Sequence, residues 1–201
     1  MNCQLANHLR ALCAALVMLI AWIGPVHAVD PTDTVMLVAT PEFAHPFYGA
    51  TVLIAFPIGN GEFLGFIVNK PTTVTLADAF PEHPASQKVK DRIFIGGLEG
   101  ANLLYALVQS KTSLGTGALQ VSPDLFIVLA SEAVDQVIEQ EPEHARFLVG
   151  SVFWQSGELE SEIEGGAWYV EQPDAGLIMR QETGKLWEEQ VQRVTSLRKA
   201  I

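Results

Sequence analysis

The sequence predicts an α+β fold in one domain, with a mixed or antiparallel β-sheet and a few packed helices. Three observations carry that reading. Strand-like runs outnumber helical patterns and follow one another directly, which favours neighbouring strands over alternating βα units. An Asn-Gly pair stands between two apolar runs, the strongest short-range hairpin signal. The chain of 201 residues shows no internal repeat and no low-complexity linker, and its length suits a single domain of roughly 100–200 residues.

Taken in order, residues 30–33 form a polar entry segment, and the continuous apolar run 34–39 reads as a buried strand that Pro41 ends. Runs 51–57 and 62–69 are two strands joined by Ile58-Gly59-Asn60-Gly61. The glycines do not form a phosphate loop, because a β-rich run follows Gly61 where phosphate cradling needs a helix start. Residues 76–80 suit one helical turn, and 81–86, with Pro81 and Pro84, a surface loop. A strand over 92–95 leads into Gly96-Gly97. Periodicity over 102–109 fits helix and strand alike. Further strands are expected at 118–122 and 125–129, on either side of Pro123-Asp124. Ser131 is expected to cap a helix reaching Gln140, with Val134, Val137 and Ile138 inward. Strands follow at 146–153, 167–171 and 177–180. A closing amphipathic helix over 184–197 turns Leu186, Val191 and Val194 to the core.

Residues 1–28 have the layout of a secretory leader: Arg10, an uncharged apolar run from Ala11 to Gly24, and Val26-His27-Ala28 as a small-residue cleavage site. The run is shorter than the ~20 residues of a spanning helix, so cleavage after Ala28 is expected, leaving residues 29–201 as the domain and no stable membrane insertion. Cys13 lacks the small preceding residues of a lipidation site. Both cysteines, Cys3 and Cys13, lie in the leader, so the mature chain has no disulfide, thiolate catalyst or cysteine metal site. Losing Arg10 leaves 11 basic against 23 acidic side chains, a net charge of −12. Such a surface repels phosphate backbones and anionic lipid, so no nucleic acid is expected as partner. The localisation implied is periplasmic or secreted.

No spacing of nucleophile, base and orienting group names a reaction, and none calls for a cofactor or metal. His45, His83 and His144 are far apart, and exposed loop histidines are their ordinary reading. In the stretch 154–168, Ser156 reads as a helix N-cap, with Glu158 and Glu160 favourably placed in the first turn. Leu159 and Ile163 face inward, while Glu160 and Glu164 form a solvated row and Gly165-Gly166 stops the helix. Its four glutamates alternate around the helix and do not converge on one cation. No Gly-x-Ser-x-Gly elbow surrounds Ser156. Trp168 and Val170 share one face of the following strand, and Tyr169 takes the other. Asn69, ahead of Pro71, suits a side-chain tie in a turn. Thr40, Asn69, Gly96 and Gly97 are expected to border any ligand pocket, because loops after adjacent strands carry sites.

Gly157-Glu158-Leu159-Glu160-Ser161-Glu162-Ile163 followed by Trp168 resembles the GQLE-x-E signature of the YqgE/AlgH family. Ala39-Thr40-Pro41, the Gly65-Phe-Ile-Val-Asn-Lys-Pro71 strand and the Gly96-Gly97 turn resemble further family motifs in the same order, over about residues 34–190. Glu158 replaces the usual Gln, Leu98-Glu99 a Pro-Val pair, Gln109-Ser110 a His-Ser pair, and Ser151-Val152-Phe153 a Tyr-Ala-Gly-like run, which marks a divergent member. The resemblance implies the family's α+β fold, a strand over 102–109, and structural roles for Ser156, Gly157, Glu158, Leu159, Glu160, Glu162 and Trp168. It implies no established catalytic activity; one branch is associated with transcriptional regulation of alginate synthesis. The reading that follows is an exported, non-enzymatic protein that binds a protein partner or a small ligand. The alternatives are a transcriptional regulator, or a hydrolase or metal-dependent enzyme whose site assembles only in three dimensions.

Overall fold

The computed structural model describes residues 33–199; the segment 1–28 expected to be a leader, the cleavage expected after Ala28, and both cysteines lie outside them. The first strand, β1 (Val35–Ala39), is buried along its whole length, as a continuous apolar run requires. β2 (Val52–Gly59) and β3 (Glu62–Ile67) form the hairpin. Asn60 and Gly61 both take positive φ, 55° and 76°, the conformation that a two-residue turn matched to strand twist demands.

The remaining elements are β4 (Pro71–Thr75), α1 (Leu76–Ala79), β5 (Arg92–Ile95), β6 (Glu99–Gln109), β7 (Ala118–Ser122), β8 (Leu125–Val128) and α2 (Ser131–Gln140). They continue with β9 (Ala145–Trp154), α3 (Glu158–Glu164), β10 (Trp168–Glu171), α4 (Ala175–Ile178) and α5 (Leu186–Lys199). Strand order along the sheet is β10-β1-β2-β3-β9-β6-β8-β7, with every neighbouring pair antiparallel. β5 pairs antiparallel with β4 and runs parallel to β9. The sheet is therefore mixed, as the sequence predicts, and β9 is its hub, carrying β6 on one edge and both β3 and β5 on the other.

The sheet curls, so side chains from both its ends meet in one inner core. Met36 and Val38 of β1 share it with Phe66, Tyr105, Leu107, Leu125 and Ile127, and Ile178 and Leu186 from α4 and α5 close it. Two smaller cores lie on the outer face. One joins Leu37, Phe63 and Trp154 to Leu159 of α3; the other packs Val134 and Ile138 of α2 against Val108, Val128 and Phe147.

Several local expectations need correction. Residues 177–180 are not a strand: Asp174 accepts from the Leu177 N–H at 3.1 Å and nucleates the short helix α4. Ser131 is the first residue of α2, and Ala130 stands at the N-cap without a side-chain bond. Ser156 is likewise not a cap; Gly157, at φ 81°, occupies that position. β4 went unanticipated, because Pro71 and the Thr-rich run that follows carry no apolar alternation. Thr75 caps α1 in a reciprocal box with Asp78; the Thr75 backbone and hydroxyl bonds hold the Asp78 carboxyl below its ordinary value.

Arg146 on β9 is 4 % exposed and sits inside the curl. Its guanidinium donates to the Val68 carbonyl at 2.8 Å and to the carbonyls of Ile178 and Arg180, and it stacks 4.2 Å from the centre of the Phe94 ring. One side chain thus fastens the α4 segment to the sheet.

Candidate functional site

Between β1 and β2 lies a loop, residues 40–51, whose sequence crowds Phe43, His45, Phe47 and Tyr48 into six positions. Polar side chains fix its backbone from every side. Thr40 at its start donates to the Gly166 carbonyl at 2.8 Å, and Thr51 at its end donates to the Tyr48 carbonyl at 2.6 Å. Asn69, at the end of the β3 segment, accepts from the Val52 N–H at 2.9 Å and donates to the Ala50 carbonyl at 3.0 Å. It holds the chain where Ala50 takes a φ of 57°, which a non-glycine residue adopts only under such support. The His45 ring nitrogen Nδ1 accepts from the Phe47 and Tyr48 N–H groups at 3.2 and 3.0 Å. Lys70 donates to the Phe47 carbonyl and lies 4.8 Å from the centre of the Phe47 ring; burial pulls its ammonium below its ordinary value.

The loop rests on the corner made by α3 and β10. Phe43 meets Trp168 edge-on with centroids 5.0 Å apart, and Phe47 meets Tyr48 edge-on at 4.8 Å, arrangements that the ring quadrupoles favour. Beneath them Glu162 Oε2 accepts from both indoles, Trp154 at 3.0 Å and Trp168 at 2.7 Å. That carboxylate joins the ends of β9 and β10 through α3. Glu158 accepts from the Gln155 N–H at 2.9 Å, closing the first turn, and Ser156 packs on the hairpin, where a Cβ at Gly61 would meet its Oγ at 2.6 Å. Glu160 is not simply solvated as its spacing suggested, since one carboxylate oxygen is buried without a partner among the described residues. Glu42, Phe43, Glu162 and the 165–167 backbone line a cleft of about 280 Å³ at the loop's edge.

Of the four residues expected to border a pocket, the structure places Thr40 and Asn69 at the two ends of this loop. Gly96 and Gly97 are pressed against Gly150 and Ser151 where β5 passes into β6, and the Gly96 carbonyl accepts from the Ile67 N–H at 2.8 Å, two residues before Asn69. Glu99, just beyond them, connects the two regions electrostatically. Burial, then the charges of Glu99 and Glu162, raise the Tyr48 phenol above its ordinary value. The neutral phenol is the form the fold favours, so its contribution to stability is complete below about pH 10, the ordinary phenol value, and is lost as pH climbs through the raised value. The expected result is that Glu99→Gln brings the Tyr48 titration, followed by ultraviolet absorbance, back toward the ordinary value. An unchanged titration would show that Glu99 does not act on the phenol.

The aromatics of the loop are what the sequence reading missed. Four rings in six residues were the available signal, masked because the segment has neither strand nor helix period. His83 bonds Ser86 at 2.7 Å, and His144 is exposed. Among the described residues no group of three or more His, Cys, Asp or Glu is placed to hold a metal ion, and no helix is long and apolar enough to cross a membrane.

A curled, largely antiparallel sheet with helices packed on both faces, carrying a rigid aromatic loop beside an acidic helix–strand corner, defines a single-domain α+β protein. Residues 36–197 match the AlgH-like family, and the chain belongs to that family. A UPF0301 protein of Chlorobaculum tepidum is 24% identical over 159 residues, covering 78% of this chain and 83% of its own length. One of Streptomyces avermitilis is 27% identical over 164 residues, covering 79% and 84%. The solution structure of the AlgH protein from Pseudomonas aeruginosa aligns with a TM-score of 0.68 at 20% identity, over 87% of this chain and 96% of that one. The crystal structure of protein DIP2367 from Corynebacterium diphtheriae gives 0.68 at 17% identity, over 82% and 87%. At these identities the structural likeness establishes the fold.

Proposed function

We propose that the protein is an exported, non-enzymatic binding module that holds a protein partner of the cell envelope on the aromatic loop 40–51. One observation carries the reading. The groups around the loop that are suited to chemistry are engaged in holding its shape: His45 accepts from two backbone N–H groups, Lys70 donates to a carbonyl, Asn69 clamps two strands and Glu162 binds two indoles. What the loop leaves within reach of a partner is the exposed ring of His45 and the half-buried rings of Phe43, Phe47 and Tyr48, on a fixed backbone. Rigid aromatic area binds at low entropic cost, and it is enriched at the energetic centres of interfaces. Export is supported by the leader layout of residues 1–28, and the net negative charge disfavours nucleic acid as the partner.

The test expresses the full-length chain in a Gram-negative host, locates it by fractionation and maps its N-terminus by mass spectrometry. Cross-linked partners are then compared between wild type and a Phe43→Ala, Tyr48→Ala double variant. A periplasmic product beginning at Val29, with a cross-linked envelope protein that the variant loses while it still unfolds cooperatively in urea, is the expected outcome. A cytoplasmic product retaining Met1 would reject export. Equal capture by a folded variant would reject the loop as the binding surface.

A further inference from the structure

The strand order that runs from β10 to β7 leaves each of these strands with a single neighbour among the described residues. An end strand offers a row of unpaired backbone groups, and proteins commonly blunt it with charge. β10 carries Glu171, paired with Arg193 of α5, and Arg198 lies over its Tyr169 ring. β7 has no such device: between Lys111 and Asp124 no residue carries a charge. Leu119 at its middle is 46 % exposed, although it stands opposite the buried Ile127 of β8. A register shift between Gln120 and Ser122 limits the regular part of the strand to Ala118–Gln120.

The phase of the hydrogen bonds identifies which backbone groups of β7 face away from the sheet. In an antiparallel pair, alternate residues bond the neighbour and those between them point away from it. The Ser110 N–H donates to the Asp124 carbonyl at 3.0 Å, so residues 124, 126 and 128 turn toward β6. The Leu129 N–H donates to the Gly117 carbonyl at 3.0 Å, so residues 127 and 129 turn toward β7. Gly117 and Leu119 therefore bond β8, and the N–H and C=O groups of Ala118 and Gln120 face outward.

We propose that β7 pairs antiparallel with β7 of a second copy of this chain, about a two-fold axis through Leu119. The outward groups dictate the register: Ala118 stands opposite the partner's Gln120, and Gln120 opposite the partner's Ala118, each pair exchanging both backbone bonds. Leu119 faces its own counterpart in the non-bonded position, where side chains approach most closely. Beside it lies an apolar hollow of about 380 Å³, lined by Gly117, Ala118, Leu119, Leu129 and Ala130, so burial of both leucines adds to the short ladder. Two copies of a chain of net charge −11 repel, and an uncharged edge lets them meet without setting like charges opposite one another. The interface is separate from the aromatic loop 40–51 and does not depend on it.

Sedimentation equilibrium of the purified chain from about 1 μM to about 1 mM tests the assignment, at an ionic strength of about 0.15 M that screens repulsion beyond about 8 Å. A reversible monomer–dimer equilibrium is expected. Leu119→Lys sets like charges against each other on the axis and should weaken dimerisation roughly tenfold or more, while the variant still unfolds cooperatively in urea. Leu119→Cys reads the register, in a background of Cys3→Ser and Cys13→Ala. Opposed residues in the non-bonded position have Cα atoms about 4.5 Å apart, within disulfide range, so mild oxidation should link this variant into a covalent dimer. Ser161→Cys, at an exposed position of α3 in the same background, should stay unlinked. A monomer at every concentration overturns the proposal and leaves the edge to an unlike strand. So does a dimer that Leu119→Lys leaves intact, or a Leu119→Cys variant that cross-links no more than Ser161→Cys.

Discussion

Replacing Arg146 by alanine is expected to lower folding stability by about 4 kcal/mol, the loss typical of removing one partner from a buried charged network. The substitution leaves the carbonyls of Val68, Ile178 and Arg180 without their donor inside the curled sheet and strips the guanidinium from the Phe94 ring. Each orphaned buried acceptor costs roughly 1–3 kcal/mol, partly relieved where water can enter. Arg146→Lys should fall between, because one ammonium cannot reproduce a planar fork that reaches three acceptors. Urea unfolding of the three proteins is the measurement, and a loss below about 1 kcal/mol for the alanine variant would show that α4 is held by its apolar contacts alone. Burial lowers the Arg146 pKa to about 10, with Asp91 pulling the other way, so the side chain remains charged at neutral pH. The folded state holds that proton less tightly than the unfolded chain. This group's contribution is therefore flat below pH about 10 and becomes more stabilising as pH rises from there toward the ordinary guanidinium value.

Gly97→Ala is the second large effect expected. A Cβ at Gly97 would stand 1.9 Å from the Ser151 carbonyl oxygen and 2.7 Å from the Val152 N, both atoms of the hub strand β9. No rotamer relieves a clash with backbone, so β5 and β6 must separate from β9. The cost is expected to exceed about 3 kcal/mol, above the usual range for overpacking. Gly184→Ala is the matched control: nothing lies within 4 Å of its Cβ, and its urea midpoint should correspond to a change within about 0.5 kcal/mol. Equal midpoints for the two variants would refute the close crossing of β5–β6 over β9.

Gly96 and Gly97 were legible as a special pair, but for a different reason than their geometry supplies. Two adjacent glycines after a strand suggest a loop open to a ligand; here they let backbone pass against Gly150 and Ser151. Thr40 and Asn69 were legible as loop-end residues, and their polar side chains do tie that loop. The aromatic segment between them was not, because rings in a structureless stretch have no period to read. Arg146 was also opaque. A single basic residue in an apolar run looks like a strand end, and its three acceptors come from positions distant in sequence.

By itself the sequence determined the local elements: the buried β1 run, the Asn60-Gly61 hairpin, the helices at α2 and α5, and the helix–strand corner that ends at Trp168. These depend on side-chain period, turn conformation and capping within a few residues, all of which are written consecutively. The family membership was also legible, through motifs preserved in order. Only the tertiary structure decided that 175–178 coil into α4, that Glu162 joins two tryptophans, and that the loop 40–51 packs its half-buried aromatics beside Trp168. Each of these depends on partners brought together by the curl of the sheet. A hydrogen bond between residues far apart in sequence leaves no periodic trace, because its energy is set by distance in space and not by spacing along the chain.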